Sequence, residues 1–244
     1  MAVSNSIARY NLQHAAHLAN IGAHYYATRN YQSSYGAYTR ALEVLQRIAH
    51  DDSVNFEPEN DRDDAEARIP VAYPFGLMDE EDEDDERTKK IKAEDEDKSF
   101  FFVFAKPFVV DVETLDMSNT PIYIAVVIFG MSLLLMRKAQ TEPDKRSLHK
   151  ALKLFEMAAT LLQSAPDHGI YSNVQLAILN NKTYICYCLH LFEDAHGALE
   201  EISELLPNVC NDDVAADTFD EDELNNMVLN SLLTSDPTRL APAA

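Results

Sequence analysis

A chain of 244 residues with 46% hydrophobic and 9% aromatic side chains can bury a sizeable core, which excludes a wholly disordered protein. Its formal charge of −21 repels phosphate backbones and excludes direct nucleic-acid binding as the main role. Six Gly and no Trp argue against a turn-rich β-sandwich, and the three cysteines (Cys186, Cys188, Cys210) are too few for a disulfide framework in a chain this long.

Residues 15–49 predict two amphipathic helices joined by a tight turn. Leu18, Ile21, Gly22 and Tyr25 fall on one helical stripe, Arg29-Asn30 makes a polar break, and Tyr31, Tyr35, Tyr38, Ala41 and Leu42 form a second stripe. Gly22 and Ala41 would let neighbouring helices approach closely. Residues 1–50 carry four Arg against one acid, Glu43, whereas residues 51–98 carry 20 acids against seven bases. Asp79–Glu86 is acidic at every position, so 51–98 reads as a disordered acidic insert. Within it the apolar island Ile69–Met78 is expected to dock back onto the helices as an extended segment.

Residues 99–120 open with a Phe- and Val-rich stretch, Phe100–Val112, broken at Lys106-Pro107. It predicts one or two short strands or an extended arm. The apolar run 121–138 follows, with Pro121 suited to a helix start and Arg137-Lys138 to a helix end. Its 15 residues from Ile122 to Met136 fall short of the roughly 20 that span a bilayer, so a buried helix is expected. Gly130 and Ala151 would bring it against the next helix, where Ala151, Phe155 and Ala158 form a small-aromatic-small triad. These two helices make a second hairpin over 121–166. A third hairpin occupies 167–209, with Leu179, Phe192, Ala195, Leu199 and Ile202 on its apolar faces and Pro207 as its stop. The acidic tail 210–244 contains a short capping helix near 220–233, with Leu224, Val228, Leu229 and Leu232 on one face.

The order of small and aromatic residues over 15–49 and 174–207, and in part over 121–166, resembles the tetratricopeptide repeat (TPR), a helix-turn-helix unit of 34 residues. The resemblance implies an all-α fold: a short TPR-like solenoid of helical hairpins, carrying the long acidic insert and a small extended or β-hairpin segment. It also implies a right-handed superhelix whose first helices line a concave groove. In the first unit Ala16, Ala19, Ala23 and Tyr26 would line it, and in the third Ala177, Asn180, Tyr184 and Tyr187. The partner-binding set expected on that basis is Ala19, Ala23, Tyr26, Asn180, Tyr184 and Tyr187. Some members of the family grip a C-terminal carboxylate with Lys, Asn and Arg. Ala19 and Ala23 cannot donate hydrogen bonds there, so carboxylate capture is disfavoured.

No motif for catalysis stands out, and no catalytic residue, metal site or cofactor is expected. Cys186, Cys188 and His190 cluster without a second ligand pair, and His14, His17 and His24 fit a surface better than a ligand set. The acid run lacks the glycine and alternation of a calcium loop. The expected function is a scaffold or adaptor that binds a protein partner, a basic one where the acidic surface takes part. A membrane-associated protein anchored through 121–138 is the alternative. With no apolar leader in MAVSNSIARYNLQ, a cytoplasmic or nuclear setting is expected.

Overall fold

The computed structural model describes residues 2–50, 72–74, 102–142, 144–164, 171–211 and 219–234. Most of them are helical, in seven α-helices. Helices α1 (Ala2–Ala27) and α2 (Tyr31–His50) pack on each other, as do α3 (Thr120–Thr141) and α4 (Lys145–Gln163), and α5 (Ser172–Cys188) and α6 (Phe192–Asn211). Helix α2 also packs on α3, α4 on α5, and the last helix, α7 (Glu221–Thr234), on α6.

The first and third pairs turn in the same way. Arg29 and His190 adopt φ of 60° and 62°, the left-handed conformation that ends a helix. Around them the N–H of Asn30 donates to Tyr25 O at 2.8 Å and that of Leu191 to Cys186 O at 2.8 Å. The amides of Arg29 and His190 donate to Tyr26 O and Tyr187 O. These paired bonds satisfy the carbonyls that a helix end leaves bare, without the glycine usual at that position.

The buried face of α1 differs from the expected stripe. Ala8, Leu12, Ala15, Ala16, Ala19 and Ala23 are buried, whereas Ile21 is 45% exposed and Leu18 and Tyr25 only half-buried. Small side chains turn inward because other backbone approaches here closely. On α2 Tyr38 and Ala41 are buried as expected, but Tyr35 is 48% exposed and Ser34 is buried instead. The Ser34 hydroxyl donates to Gly22 O at 2.8 Å, fastening α2 to α1.

Helix α3 is the centre of the fold, with buried side chains all round: Ile122, Val126, Phe129 and Leu133, but also Val127, Ile128 and Leu134. It packs between α2 and α4 as the apolar run predicts. The close approach at Gly130, however, admits the ring of Tyr38 from α2 and not Ala151 of α4. Helix α4 starts at Asp144, whose carboxylate accepts from the Arg146 N–H at 2.9 Å and the Ser147 hydroxyl at 2.8 Å. Its Ala151, Phe155 and Ala158 are fully buried, as the triad predicts.

Helix α6 runs through Pro207 to Asn211 instead of stopping there, because Leu206 and Val209 on either side are buried and hold the last turn. Helix α7 buries Glu223, Met227 and Asn230, leaving Val228 and Leu229 exposed at 37% and 51%. The stripe expected from its leucines is therefore rotated. A capping box explains the rotation at its start: Asp220 Oδ1 accepts from the Glu223 N–H at 2.8 Å, and Glu223 Oε2 accepts from the Asp220 N–H at 3.2 Å.

Of the expected insert only Ala72–Pro74 (β1) lies among the described residues, so the disorder expected of the rest falls outside them. β1 pairs antiparallel with Phe108–Val110 (β2), Ala72 opposite Val110 and Pro74 opposite Phe108. This described piece of the apolar island is paired with the extended segment, and the rest of the island lies outside the described residues.

Candidate partner-binding surface

The Phe- and Val-rich segment predicted to be extended runs from Phe102 to Val110 against α1, α3, α5 and α7. Three asparagines on three helices hold its main chain, each by the same two bonds. The side-chain amide of Asn20 donates to Val110 O and its oxygen accepts from Val110 N–H, both at 2.8 Å. Asn181 donates to Phe104 O at 2.8 Å and accepts from Phe104 N–H at 2.9 Å. Asn230 donates to Phe102 O at 2.9 Å and accepts from Phe102 N–H at 3.1 Å. An asparagine side chain carries the same donor and acceptor as a peptide unit, so each one acts as a short piece of neighbouring strand. Asn180 joins them, donating to Phe102 O at 3.2 Å and accepting from Asn230 at 2.8 Å.

Asn20 and Asn181 occupy equivalent places. Each stands nine residues before the left-handed residue of its turn, Arg29 or His190. The first and third helical pairs therefore present the same grip at the same distance from their turns.

Apolar side chains reinforce the hold. Phe104 and Phe108 are fully buried and their rings meet at 5.5 Å. Phe104 packs edge-on against Phe219 at 5.2 Å, and Phe108 lies 5.1 Å from Phe129, which meets Phe155 at 5.6 Å. At the break in the arm Lys106 reaches Glu223 at 2.8 Å and Asp220 at 3.3 Å, tying the arm to the first turn of α7. Although partial burial lowers the Lys106 pKa, hydrogen bonds and charge from Glu223 and Asp220 leave it raised.

The arm changes the standing of the residues expected to line an open groove. Ala19, Ala23 and Asn180 are 2%, 0% and 1% exposed, and Asn180 is bonded to the arm at Phe102 O. Tyr184 and Tyr187 are half-buried. Tyr187 packs edge-on against Phe192 at 5.4 Å, as Tyr26 does against Tyr31 at 5.7 Å. Burial, with Cys188 beside it, pushes the Tyr184 phenol up to about 12, and burial pushes the Cys186 thiol up to about 11. Neither group is poised for proton transfer or nucleophilic attack near neutral pH.

Of the expected set, Tyr26 lines a cleft of about 200 Å³. Its walls are Tyr26, Ala27, Arg29 and Tyr31 from the first turn, Leu133, Met136, Arg137 and Gln140 from α3, and Val103 and Ala105 from the arm. Arg29 and Arg137 both stand among its walls. Among the described residues no three His, Cys, Asp or Glu side chains gather as a metal site.

Asn20, Asn230, Phe104 and Arg137 were not among the expected site residues. Only the equal spacing of Asn20 and Asn181 from their turns could have pointed to the first of them. No protein-family model, curated protein or solved structure matches this chain.

Proposed function

We propose that this protein is a protein-interaction adaptor, built as a short TPR-like solenoid of three helical hairpins. The observation that carries the reading is the asparagine grip: three helices present side chains spaced to hold an extended main chain by its N–H and C=O groups. In this protein its own arm takes that place, so partners meet the surface the arm leaves open. Three free cysteines, one buried, one half-buried and one exposed, fit a reducing cytoplasmic or nuclear setting. The overall negative charge favours basic partners at long range.

Affinity purification of the tagged full-length chain after mild cross-linking, followed by mass spectrometry, tests this. A partner enriched over a tag-only control, which then binds the purified protein at a fixed stoichiometry, is the expected result. Recovery of nothing beyond abundant background proteins would remove the adaptor reading.

The membrane alternative draws on one feature: Met117–Thr141 is long and apolar enough to cross a bilayer, with mean hydropathy 1.9. Yet 78% of its most apolar stretch is already buried by the rest of the protein. Insertion would have to unpack α2, α4 and the arm, so the adaptor reading is favoured. Carbonate extraction separates the two, since a spanning protein stays with the membrane pellet.

A further inference from the structure

Helix α4 carries a line of cations on its exposed side, and α6 carries a line of acids spaced to match. Arg146, Lys150, Lys153 and Met157 follow at intervals of four, three and four residues, which places them on one face of the helix. All four are exposed, Met157 at 53%, and Glu156 is the one acid of the helix. Glu193, Gly197, Glu200 and Glu204 repeat the same intervals on α6, with Asp194 and Glu201 at their flanks. These five acids are exposed, Gly197 is half-buried, and α6 contains no Lys or Arg. Both helices pack on α5, where the carboxylates of Glu156 and Asp194 both act on the Cys186 thiol. The two lines are therefore neighbours on one surface.

We propose that this surface binds a second copy of the chain, α4 of each copy lying antiparallel on α6 of the other. The proposal goes beyond the adaptor reading. An interface across a two-fold axis has to be self-complementary, and a surface that carries both a line of cations and a matching line of acids meets that condition. Run antiparallel, the lines bring Met157 to the Glu193 and Gly197 end of the other copy's α6. Lys153, Lys150 and Arg146 then lie toward its Glu200 and Glu204. Glycine weakens a helix interior relative to alanine. At position 197 it leaves a gap in the acidic face, which the unbranched Met157 side chain fills. The lysine stems add apolar cover around the seat. The same contact forms twice in each dimer, and these local attractions offset the repulsion between two chains of charge −21. A separate acidic or basic protein would meet one line, whereas a second copy satisfies both at once.

Sedimentation velocity on the purified full-length protein, over rising concentration, tests this. The parent chain should pass from monomer to dimer and no further. Lys150→Glu/Lys153→Glu and Glu200→Lys/Glu204→Lys change exposed positions, so circular dichroism should not alter, and each should weaken the dimer at least ten-fold. Mixed in equal amounts, the two variants should recover a one-to-one dimer, because each now complements the other at both contacts. Gly197→Gln adds a Cβ that meets no described atom within 4 Å in the chain itself. It should weaken the dimer at least ten-fold with no change in net charge. A parent chain that stays monomeric at every concentration would overturn the proposal. So would variants that dimerise as the parent does, or charge variants that fail to recover on mixing. A dimer that appears only after Asp79–Glu86 is changed to Asn and Gln would also overturn it, giving the cations of α4 to the protein's own acidic run.

Discussion

Tyr38 and Gly130 are in such close contact that a methyl group on Gly130 would lie 2.6 Å from the Tyr38 hydroxyl. Nearer the base of the same ring, a methyl on Gly22 would lie 2.9 Å from Cδ1 and Cε1. The tyrosine of α2 is thus held between glycines of α1 and α3, and its 1% exposure makes it the rivet of the first three helices. Gly130→Ala should lower stability by about 1–3 kcal/mol, because neither the ring nor the helix can retreat without repacking. Urea titration followed by circular dichroism measures it, and an unchanged midpoint would show that the ring has room to move.

The Tyr38 hydroxyl itself is buried without a hydrogen-bond partner among the described residues. Leaving such a group unsatisfied costs about 1–3 kcal/mol, so removing it should not hurt. Tyr38→Phe is expected to keep or raise the melting temperature. A fall of several degrees would mean that the hydroxyl contributes a bond after all.

Asn181→Ala should be among the most damaging single changes in α5. It strands the buried N–H and C=O of Phe104 together, for a loss of about 2–5 kcal/mol from two unsatisfied groups. Asn20→Ala removes the equivalent pair at Val110, where burial is partial, and should lose less. Equal losses at the two positions, seen in chemical denaturation, would contradict the difference in burial.

Ile128→Asp places a charge in the middle of α3 at a position 2% exposed. The expected loss is several kcal/mol, enough to unfold a domain of ordinary stability. Full helicity and an unchanged melting temperature in that variant would mean that α3 is not the core helix.

Alkaline pH should destabilise the fold. Burial raises the Cys186 thiol from 9.0 to about 11 and the Tyr184 phenol from 10.0 to about 12. Burial raises Tyr26, Tyr38 and Tyr123 further in the same direction. The unfolded chain then gives up these protons first, so the stabilisation is complete below about pH 9 and is lost as pH climbs toward 12. Raised Lys106 acts with the same sign, its ion pairs fading as the ammonium deprotonates. Melting temperatures should be flat from pH 7 to 9 and fall steadily above it, less steeply in Tyr184→Phe. A flat profile to pH 12 would contradict the burial of these groups.

Much of the helical framework can be read from local spacing. Ala151, Phe155 and Ala158 are buried because a period near 3.6 leaves them no other face. The same logic misplaced α1, where large side chains such as Ile21 were weighed as core and the alanines as groove. The alanines are interior because α1 is packed against both α2 and the arm, whose strand β2 lies far away in sequence. Asn20, Asn181 and Asn230 show why the site was harder to see than the fold. Their partners lie 90, 77 and 128 residues away, and a polar residue on a helix does not announce whether it faces water or a strand. The groove residues followed from resemblance, which carries the positions of a groove but not what lies in it.

The asparagine contacts also set a timetable for synthesis. In a simple repeat array each unit meets only its neighbours and can settle as soon as it leaves the ribosome. Here the arm is gripped from residue 20 near one end and residue 230 near the other, with Phe102 and Asn230 separated by 128 residues. At about 5–20 residues per second, roughly 6–25 s pass after Phe102 is made before its last clasp exists. Through that interval Phe102, Phe104 and Phe108 await α5 and α7, so a nascent chain halted before α7 should be a strong client for chaperones. Completion of the molecule is a single late event, not the sum of three hairpins.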